Sequence, residues 1–139
     1  MELHRGRLID HIQLVVKDLE ASKRFYKAVF EVLTIPLGGE ADDHIWADEL
    51  FISTRESDAA LGQLTGRVHL AFQGKDRETV DRFHKAAVAA GGKDNGVPGE
   101  RKYHPGYYGA FVLDPEGNNI EVVFHGAAKK SAESVAITF

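Results

Sequence analysis

Residues 11–28 read HIQLVVKDLEASKRFYKA and residues 69–86 read HLAFQGKDRETVDRFHKA, an ungapped repeat at an offset of 58 positions. Ordinary composition predicts about one identity in a segment of this length, and there are eight. The identical pairs are His11/His69, Lys17/Lys75, Asp18/Asp76, Glu20/Glu78, Arg24/Arg82, Phe25/Phe83, Lys27/Lys85 and Ala28/Ala86. The repeat predicts a chain of two equivalent modules, and it places His11 and His69 at equivalent points where they can converge on one ligand.

Composition limits the class of protein. The 139 residues suffice for one domain with a sizeable core and are too few for two ordinary ones, so a single domain is expected over residues 1–139. The net charge of -4 and the lack of a Lys/Arg-rich stretch argue against a nucleic-acid partner. No segment resembles a signal peptide or a membrane span, so a cytoplasmic location is expected. Because the chain has no cysteine, metal ligands must be His, Asp or Glu.

The first module is expected at residues 8–54. Residues 8–16 are rich in β-branched and apolar side chains, and they predict a strand with His11 and Gln13 on the face opposite Leu14. Asp18 is a good N-cap for the amphipathic helix that follows. Short strands are expected near residues 34–37, 44–46 and 49–54, which gives the order β-α-β-β-β.

The second module, residues 67–125, repeats this order. Val68, Leu70 and Phe72 alternate with His69, and Asp76 caps the second helix. The Gly- and Pro-containing residues 93–106 predict a long functional loop, and strands at 107–113 and 119–125 are joined by a tight turn. Residues 126–139 form a C-terminal extension whose alternating apolar residues fit either an edge strand or a subunit contact.

Three candidate metal ligands emerge from this pattern, namely His11, His69 and Glu121. Each lies on a strand face opposite the one that the helices cover. A carboxylate in a buried apolar strand is costly unless a cation or hydrogen bonds compensate it. Two imidazoles and one carboxylate form a facial triad for one divalent ion such as Fe, Mn, Ni or Zn, with open positions for substrate. Glu121 is accordingly assigned both a ligating and a catalytic role.

Other candidates would bind substrate. Gln13, Trp46, Phe51 and Tyr108 are expected to line the pocket, although an aromatic residue on a strand is more often part of the core. Tyr107 and Tyr108 point to opposite faces of one strand, so that one lines the pocket while the other packs against a helix or faces solvent. His104, in the predicted loop, is a candidate proton donor above the metal.

The chain resembles the vicinal-oxygen-chelate superfamily of glyoxalases, bleomycin-resistance proteins and extradiol dioxygenases. The resemblance spans residues 8–125 and rests on IDHIQLVVKDLEAS through Phe25-Tyr26, on VHLAF at 68–72, and on FVLDPEGNNIE at 111–121. It implies an α+β fold in which two paired β-α-β-β-β modules form a cupped mixed sheet around a metal, with ligands at His11, His69 and Glu121. These are the three positions reached from the residues alone.

One departure from the glyoxalase pattern bears on activity. Alignment of the last strands of the two modules places Phe51 opposite Glu121, where four-ligand glyoxalases carry a carboxylate. Glu49 lies two residues away on the same face, and a register slip would restore it as a fourth ligand. A three-ligand site is more similar to the dioxygenase or thiol-transferase branches than to the lyases.

The sequence therefore predicts a metal-dependent enzyme of the lyase, dioxygenase or thiol-transferase type that chelates a small oxygenated substrate. The alternative is a metal-free drug-binding protein of the bleomycin-resistance type, in which the metal ligands tend to be lost. A homodimer is expected because edge strands and the C-terminal extension need cover. Whether one chain or two build the cup is left open by the sequence.

Overall fold

The two modules form two sheets of identical topology. The computed structural model describes residues 2–6 and 8–139, apart from the side chains of residues 2, 3 and 59. The first module contains β2 (Ile12–Val16), α1 (Leu19–Leu33), β3 (Gly39–Ala41), β4 (His44–Ala47) and β5 (Leu50–Thr54). Its strand order is β2-β5-β4-β3, with β2 parallel to β5 and the other pairs antiparallel.

The second module contains β6 (His69–Gln73), α2 (Arg77–Ala89), β7 (Lys93–Glu100), β8 (Tyr108–Leu113) and β9 (Asn119–Phe124). Its order β6-β9-β8-β7 repeats that of the first sheet, again with one parallel pair, β6 with β9. The predicted α+β fold of paired β-α-β-β-β modules is confirmed. The described helices are all too short or too polar to cross a membrane.

Local sequence explains where both helices begin. The side chain of Asp18 accepts a hydrogen bond from the Ala21 amide at 3.0 Å, and Asp76 accepts one from the Thr79 amide at 2.7 Å. These aspartates are an identical pair of the repeat, and each satisfies an amide that has no partner within its helix. The same capping chemistry therefore starts both crossover helices.

One core joins the modules. Each helix covers the inner face of its own sheet, and the two helices also contact each other. Phe30 of α1 lies 6.3 Å from Phe72 of β6, measured between ring centroids. A methyl group at Gly92 would lie 2.5 Å from Val112 and 2.7 Å from Phe25, so a glycine is needed where the modules meet. Because the inner faces share this core, the outer faces of both sheets point away from it.

A buried polar contact also links the modules. The hydroxyl of Tyr26 in α1 donates to Asp114 at 2.5 Å, and both side chains are buried. Asp114 also accepts hydrogen bonds from the amides of Glu116 and Asn118, which closes the tight turn before β9. Burial, followed by the nearby Asp114 carboxylate, raises the pKa of Tyr26 well above its usual value, so the phenol remains a donor.

Three elements differ from the sequence expectations. The strand expected near residues 34–37 is instead β3 at Gly39–Ala41. Much of the predicted loop at 93–106 is strand β7, whose pairing with β8 shifts register near Gly96 and leaves a shorter loop after residue 100. The C-terminal extension forms β10 (Val135–Thr138), which pairs antiparallel with β1 (Glu2–Arg5) in a separate two-stranded sheet. β10 thus pairs with the N-terminal strand and joins neither of the two four-stranded sheets, and a subunit contact of the extension stays a prediction.

Candidate metal centre

His69 and Glu121 lie side by side on the outer face of the second sheet. His69 begins β6, and Glu121 lies in the middle of the adjacent β9, opposite Ala71. Alternation along the two strands places both side chains on one face. The distance from His69 Nε2 to Glu121 Oε1 is 3.2 Å. The Glu121 side chain is 3% exposed and that of His69 is 50% exposed, so the imidazole covers a buried carboxylate.

The tautomer of His69 follows from its second ring nitrogen. His69 Nδ1 lies 2.8 Å from the carbonyl oxygen of Asn119. A carbonyl can only accept, so Nδ1 carries a proton and donates it. In the neutral imidazole Nε2 then carries no proton, and its lone pair faces Glu121 Oε1. Two acceptors in contact need a cation or an additional proton between them.

Tyr107 holds the other oxygen of Glu121. Its hydroxyl donates a hydrogen bond to Glu121 Oε2, and the Oε1 atom is thereby left to face His69. Burial, followed by this hydrogen bond, raises the pKa of Tyr107 well above its usual value. The phenol therefore stays protonated and acts as a fixed donor.

An aromatic cluster fixes the Tyr107 ring. Tyr103, His104 and His125 lie edge-on to it, at centroid distances of 4.8, 5.3 and 5.5 Å. His104 Nδ1 bonds the carbonyl of Pro105 at 2.9 Å, so its Nε2 accepts from His125 Nδ1, also at 2.9 Å. His104, a predicted substrate-binding residue, thus lies beside the phenol that holds Glu121.

Glycines allow the His104 loop to approach β9. Gly106 and Gly126 both have positive φ angles, 86° and 74°. A Cβ at Gly126 would lie 3.1 Å from Gly106 Cα. Because neither position tolerates a side chain, this pair of glycines fixes the loop that carries His104 and Tyr107.

His11 lies on the other sheet. It directly precedes β2, and its Nδ1 lies 2.6 Å from Asp10 Oδ1. It lines a cavity of about 220 Å³ together with Arg5, Trp46, Asp48, Glu49 and Phe51. Over residues 2–6 and 8–139, no three His, Asp or Glu side chains are grouped to hold a metal ion. The structure thus brings His69 and Glu121 together within one chain but leaves His11 apart from them.

Strand register settles which residue of the first module corresponds to Glu121. Glu121 lies opposite Ala71, and Phe51 lies opposite Gln13. Gln13 and Ala71 are equivalent positions of the repeat. Phe51 therefore occupies the place of Glu121, as the sequence alignment predicted, and it lines the same cavity as His11.

Glu49 also borders this cavity, two residues before Phe51. Its backbone carbonyl accepts the hydrogen bond of the Ile12 amide at 2.7 Å, which fixes the strand pairing at this point. Burial raises the pKa of the Glu49 carboxyl above its usual value. Glu49 is equivalent in register to Asn119, whose carbonyl accepts a hydrogen bond from His69, and not to Glu121, the candidate ligand.

Two aromatic side chains, Trp46 and Phe51, line this cavity together with the charged Arg5 and Asp48. Trp46 lies opposite Phe51 in the antiparallel pair of β4 and β5, and its indole fills the space above Gly38. A Cβ at Gly38 would lie 2.2 Å from the indole ring. Gln13 donates to Ser53 Oγ at 2.9 Å, so this amide is already engaged within the sheet.

Tyr108 was expected to line the pocket, but it faces helix α2. Its hydroxyl donates to Asp81 of α2 at 2.7 Å, and the guanidinium of Arg77 lies 4.7 Å from its ring centroid. Tyr108 thus faces the helix, and its neighbour Tyr107 faces Glu121. Strand alternation predicted two opposite faces for these tyrosines, and the hydrogen bonds to Glu121 and Asp81 show which tyrosine lies on which face.

Comparison with known proteins identifies the family of this chain. The family model of the Glyoxalase/Bleomycin resistance protein/Dioxygenase superfamily matches residues 8–122. The chain belongs to this superfamily. A search of the curated proteins finds no match. Among solved structures, a glyoxalase/bleomycin resistance protein from Albidiferax ferrireducens T118 is 30% identical, with a TM-score of 0.72 over 84% of this chain and 98% of that one.

Two further superfamily structures share the fold at lower identity. A glyoxalase-related enzyme from Fulvimarina pelagi is 22% identical, with a TM-score of 0.72 over 95% of this chain and 98% of that one. A lactoylglutathione lyase from Agrobacterium tumefaciens is 19% identical, with a TM-score of 0.59 over 85% of this chain and 93% of that one. At these identities the likeness shows a common architecture only, because one fold hosts many reactions.

Proposed function

We propose that this protein is a metal-dependent enzyme that acts on a small oxygenated molecule. His11, His69 and Glu121 would bind one divalent ion, with Glu121 also in a catalytic role. The observation that carries the proposal is the contact between His69 Nε2 and Glu121 Oε1, in which two acceptors face each other at 3.2 Å. A bound cation would satisfy both acceptors.

The donor set fits a first-row divalent ion. Nitrogen and oxygen ligands bound to zinc at about 2.0–2.2 Å lie roughly 3.0–3.4 Å apart, which matches the observed contact. Imidazole and carboxylate ligands without thiolate suit Fe(II), Mn(II), Ni(II) or Zn(II). Such an ion, when bound, supplies Lewis-acid stabilisation of negative charge that develops on a substrate oxygen.

The surrounding residues of this chain orient the ligands. The Asn119 carbonyl fixes the His69 tautomer, and the Tyr107 hydroxyl directs the second oxygen of Glu121. In this proposal His104 lies at the margin of the site, where its Nδ1 proton is held by the Pro105 carbonyl and its ring packs edge-on against Tyr107. Trp46 and Phe51 exclude water on the side of His11.

We further propose that a second copy of the chain completes the site. His11 and the pair of His69 and Glu121 lie on the outer faces of two different sheets, and both faces point away from the shared core. A homodimer that brings the first sheet of one copy against the second sheet of the other would unite them. Two equivalent sites per dimer would result.

Titration calorimetry with Mn(II) or Zn(II) tests the ligand set. Wild type should bind one ion per chain, and His11→Ala, His69→Ala and Glu121→Gln should each abolish tight binding. His84→Ala is a matched control because His84 is hydrogen-bonded to Asp94, away from the proposed ligands. Equal affinity of wild type and Glu121→Gln would disprove the proposed triad.

A second candidate function rests on the cavity beside His11. Trp46 and Phe51 offer aromatic surface there, and Asp48 and Glu49 offer negative charge. This combination favours a flat cationic molecule, as in a metal-free drug-binding protein. Tight binding of a planar organic cation by protein treated with a chelator would support this function over the enzyme.

A further inference from the structure

Arg101 presents a fixed positive charge next to the proposed metal centre. It follows β7, and its guanidinium carbon lies 5.4 Å from the centroid of Phe111. Its Nη2 donates to the Val97 carbonyl at 2.7 Å, and its Nη1 donates to the Glu100 carbonyl at 3.3 Å. These contacts use two of five N–H donors, so three donors stay available to a ligand.

Among the described residues, Arg101 has no carboxylate partner. The contrast is with Arg77, which pairs with Glu100 at 2.7 Å and lies over Tyr108 on the opposite face of the sheet. The carboxylate of Glu100, the immediate neighbour of Arg101, is thus engaged elsewhere.

Glycines in β7 provide the space for this guanidinium. A Cβ at Gly99 would lie 3.0 Å from Arg101 Nη1, and a Cβ at Gly96 would lie 2.9 Å from the Phe111 ring. The register shifts in β7 fall at these glycines. The bulged strand therefore accommodates both the cation and the ring beneath it.

Phe111 connects Arg101 to the metal ligands. It lies directly opposite Glu121 in the pair of β8 and β9, so both side chains share the outer face. Its ring centroid lies 6.0 Å from that of His69. Arg101 and His69 thus lie near the same aromatic ring, with the Arg101 guanidinium carbon 5.4 Å and the His69 ring centroid 6.0 Å from the Phe111 centroid.

We propose that Arg101 binds an anionic group of the substrate, which makes the substrate class a small oxygenated acid. One end of this acid would present oxygen atoms to the metal, and a carboxylate at the other end would meet the guanidinium fork. Arginine suits this role because its planar donors match a carboxylate bidentately. The inference rests on the metal centre of the proposed function.

Two acids of equal length test the proposal, 2-oxoglutarate and 2-oxopentanoate. They share the chelating 2-oxo acid and differ in the distal carboxylate. In Mn(II)-loaded protein, titration calorimetry should show 2-oxoglutarate bound about tenfold or more tightly. Arg101→Gln should remove the preference, Arg101→Lys should keep part of it, and Arg77→Gln should leave it intact.

Separate outcomes identify which idea fails. Metal uptake with equal affinity for the two acids, or a preference that survives Arg101→Gln, would overturn the role of Arg101 while the metal centre stands. Absence of metal uptake would overturn the proposed function instead. In that case, chemical shifts of metal-free protein titrated with glutarate decide the anion site. Weaker binding in Arg101→Gln than in Arg77→Gln would support it, and equal binding would overturn it.

Discussion

Mixing two single-residue variants would test whether the proposed metal centre is shared between two copies of the chain. His69 and Glu121 lie 3.2 Å apart on one sheet, whereas His11 lies on the other. A mixed dimer of His11→Ala and Glu121→Gln chains then contains one site with both lesions and one intact site. A site built within a single chain would gain nothing from mixing.

The expected magnitude follows from this arrangement. Each variant alone should bind almost no metal, and wild type should bind one ion per chain. After free subunit exchange in an equal mixture, half of the dimers are mixed and each holds one intact site. Uptake should therefore recover to about 0.25 ions per chain. Elemental analysis after gel filtration measures the uptake, and native mass spectrometry of chains with different tags verifies the exchange.

The matched control mixes His69→Ala with Glu121→Gln. Both lesions fall on the same sheet, so each site of a mixed dimer carries one of them and no recovery is expected. If mixed dimers form and the first pair still recovers no metal, the shared site is wrong. Recovery in both mixtures would contradict the placement of His69 and Glu121 in one half-site.

Three further predictions concern single residues. Tyr107→Phe should weaken metal affinity in calorimetry by about 10–100-fold, as loss of a group that orients a ligand does; unchanged affinity would exclude that role. Tyr26→Phe should lower the free energy of unfolding in urea by about 1–3 kcal/mol, because a buried carboxylate loses a donor. Tyr108→Phe should cost less, because the hydrogen bond from Tyr108 to Asp81 is exposed, and equal costs would count against this reasoning. The side chain of Phe51 can neither bind a metal ion nor accept a proton. Phe51→Glu should therefore tighten metal binding, and wild type should turn over the hemithioacetal of methylglyoxal and glutathione poorly. Efficient turnover that is lost on Glu49→Gln would restore a four-ligand glyoxalase.

Local sequence patterns predicted the modules well. The repeat at residues 11–28 and 69–86 carries the same N-cap aspartate and the same strand alternation, and both are properties of neighbouring residues. They were sufficient to predict two β-α-β-β-β units and the equivalence of Phe51 with Glu121. The strand register in both sheets agrees with this alignment. A shift by one residue would turn the apolar side chains of a strand away from the core, so the hydrophobic inner face fixes the register.

Features that depend on distant parts of the chain were predicted less well. The glycines of residues 93–106 predicted a loop, yet pairing with β8 makes most of this segment a bulged strand. β1 was not predicted, because it forms through hydrogen bonds to β10 at the other end of the chain. Sequence alternation also could not select Tyr107 over Tyr108, since the choice depends on which face meets Glu121 and which meets α2.

The sequence by itself determined the two modules, the faces of their strands and the candidate ligands His11, His69 and Glu121, because periodicity and capping act over a few residues. Only the tertiary structure decided how those ligands are distributed. The modules share a core through their helices and inner faces, so each outer face points away from that core, and among the described residues His11 is not grouped with the other two. The direction in which each outer face points depends on how the modules pack together, and no local sequence pattern predicts that packing.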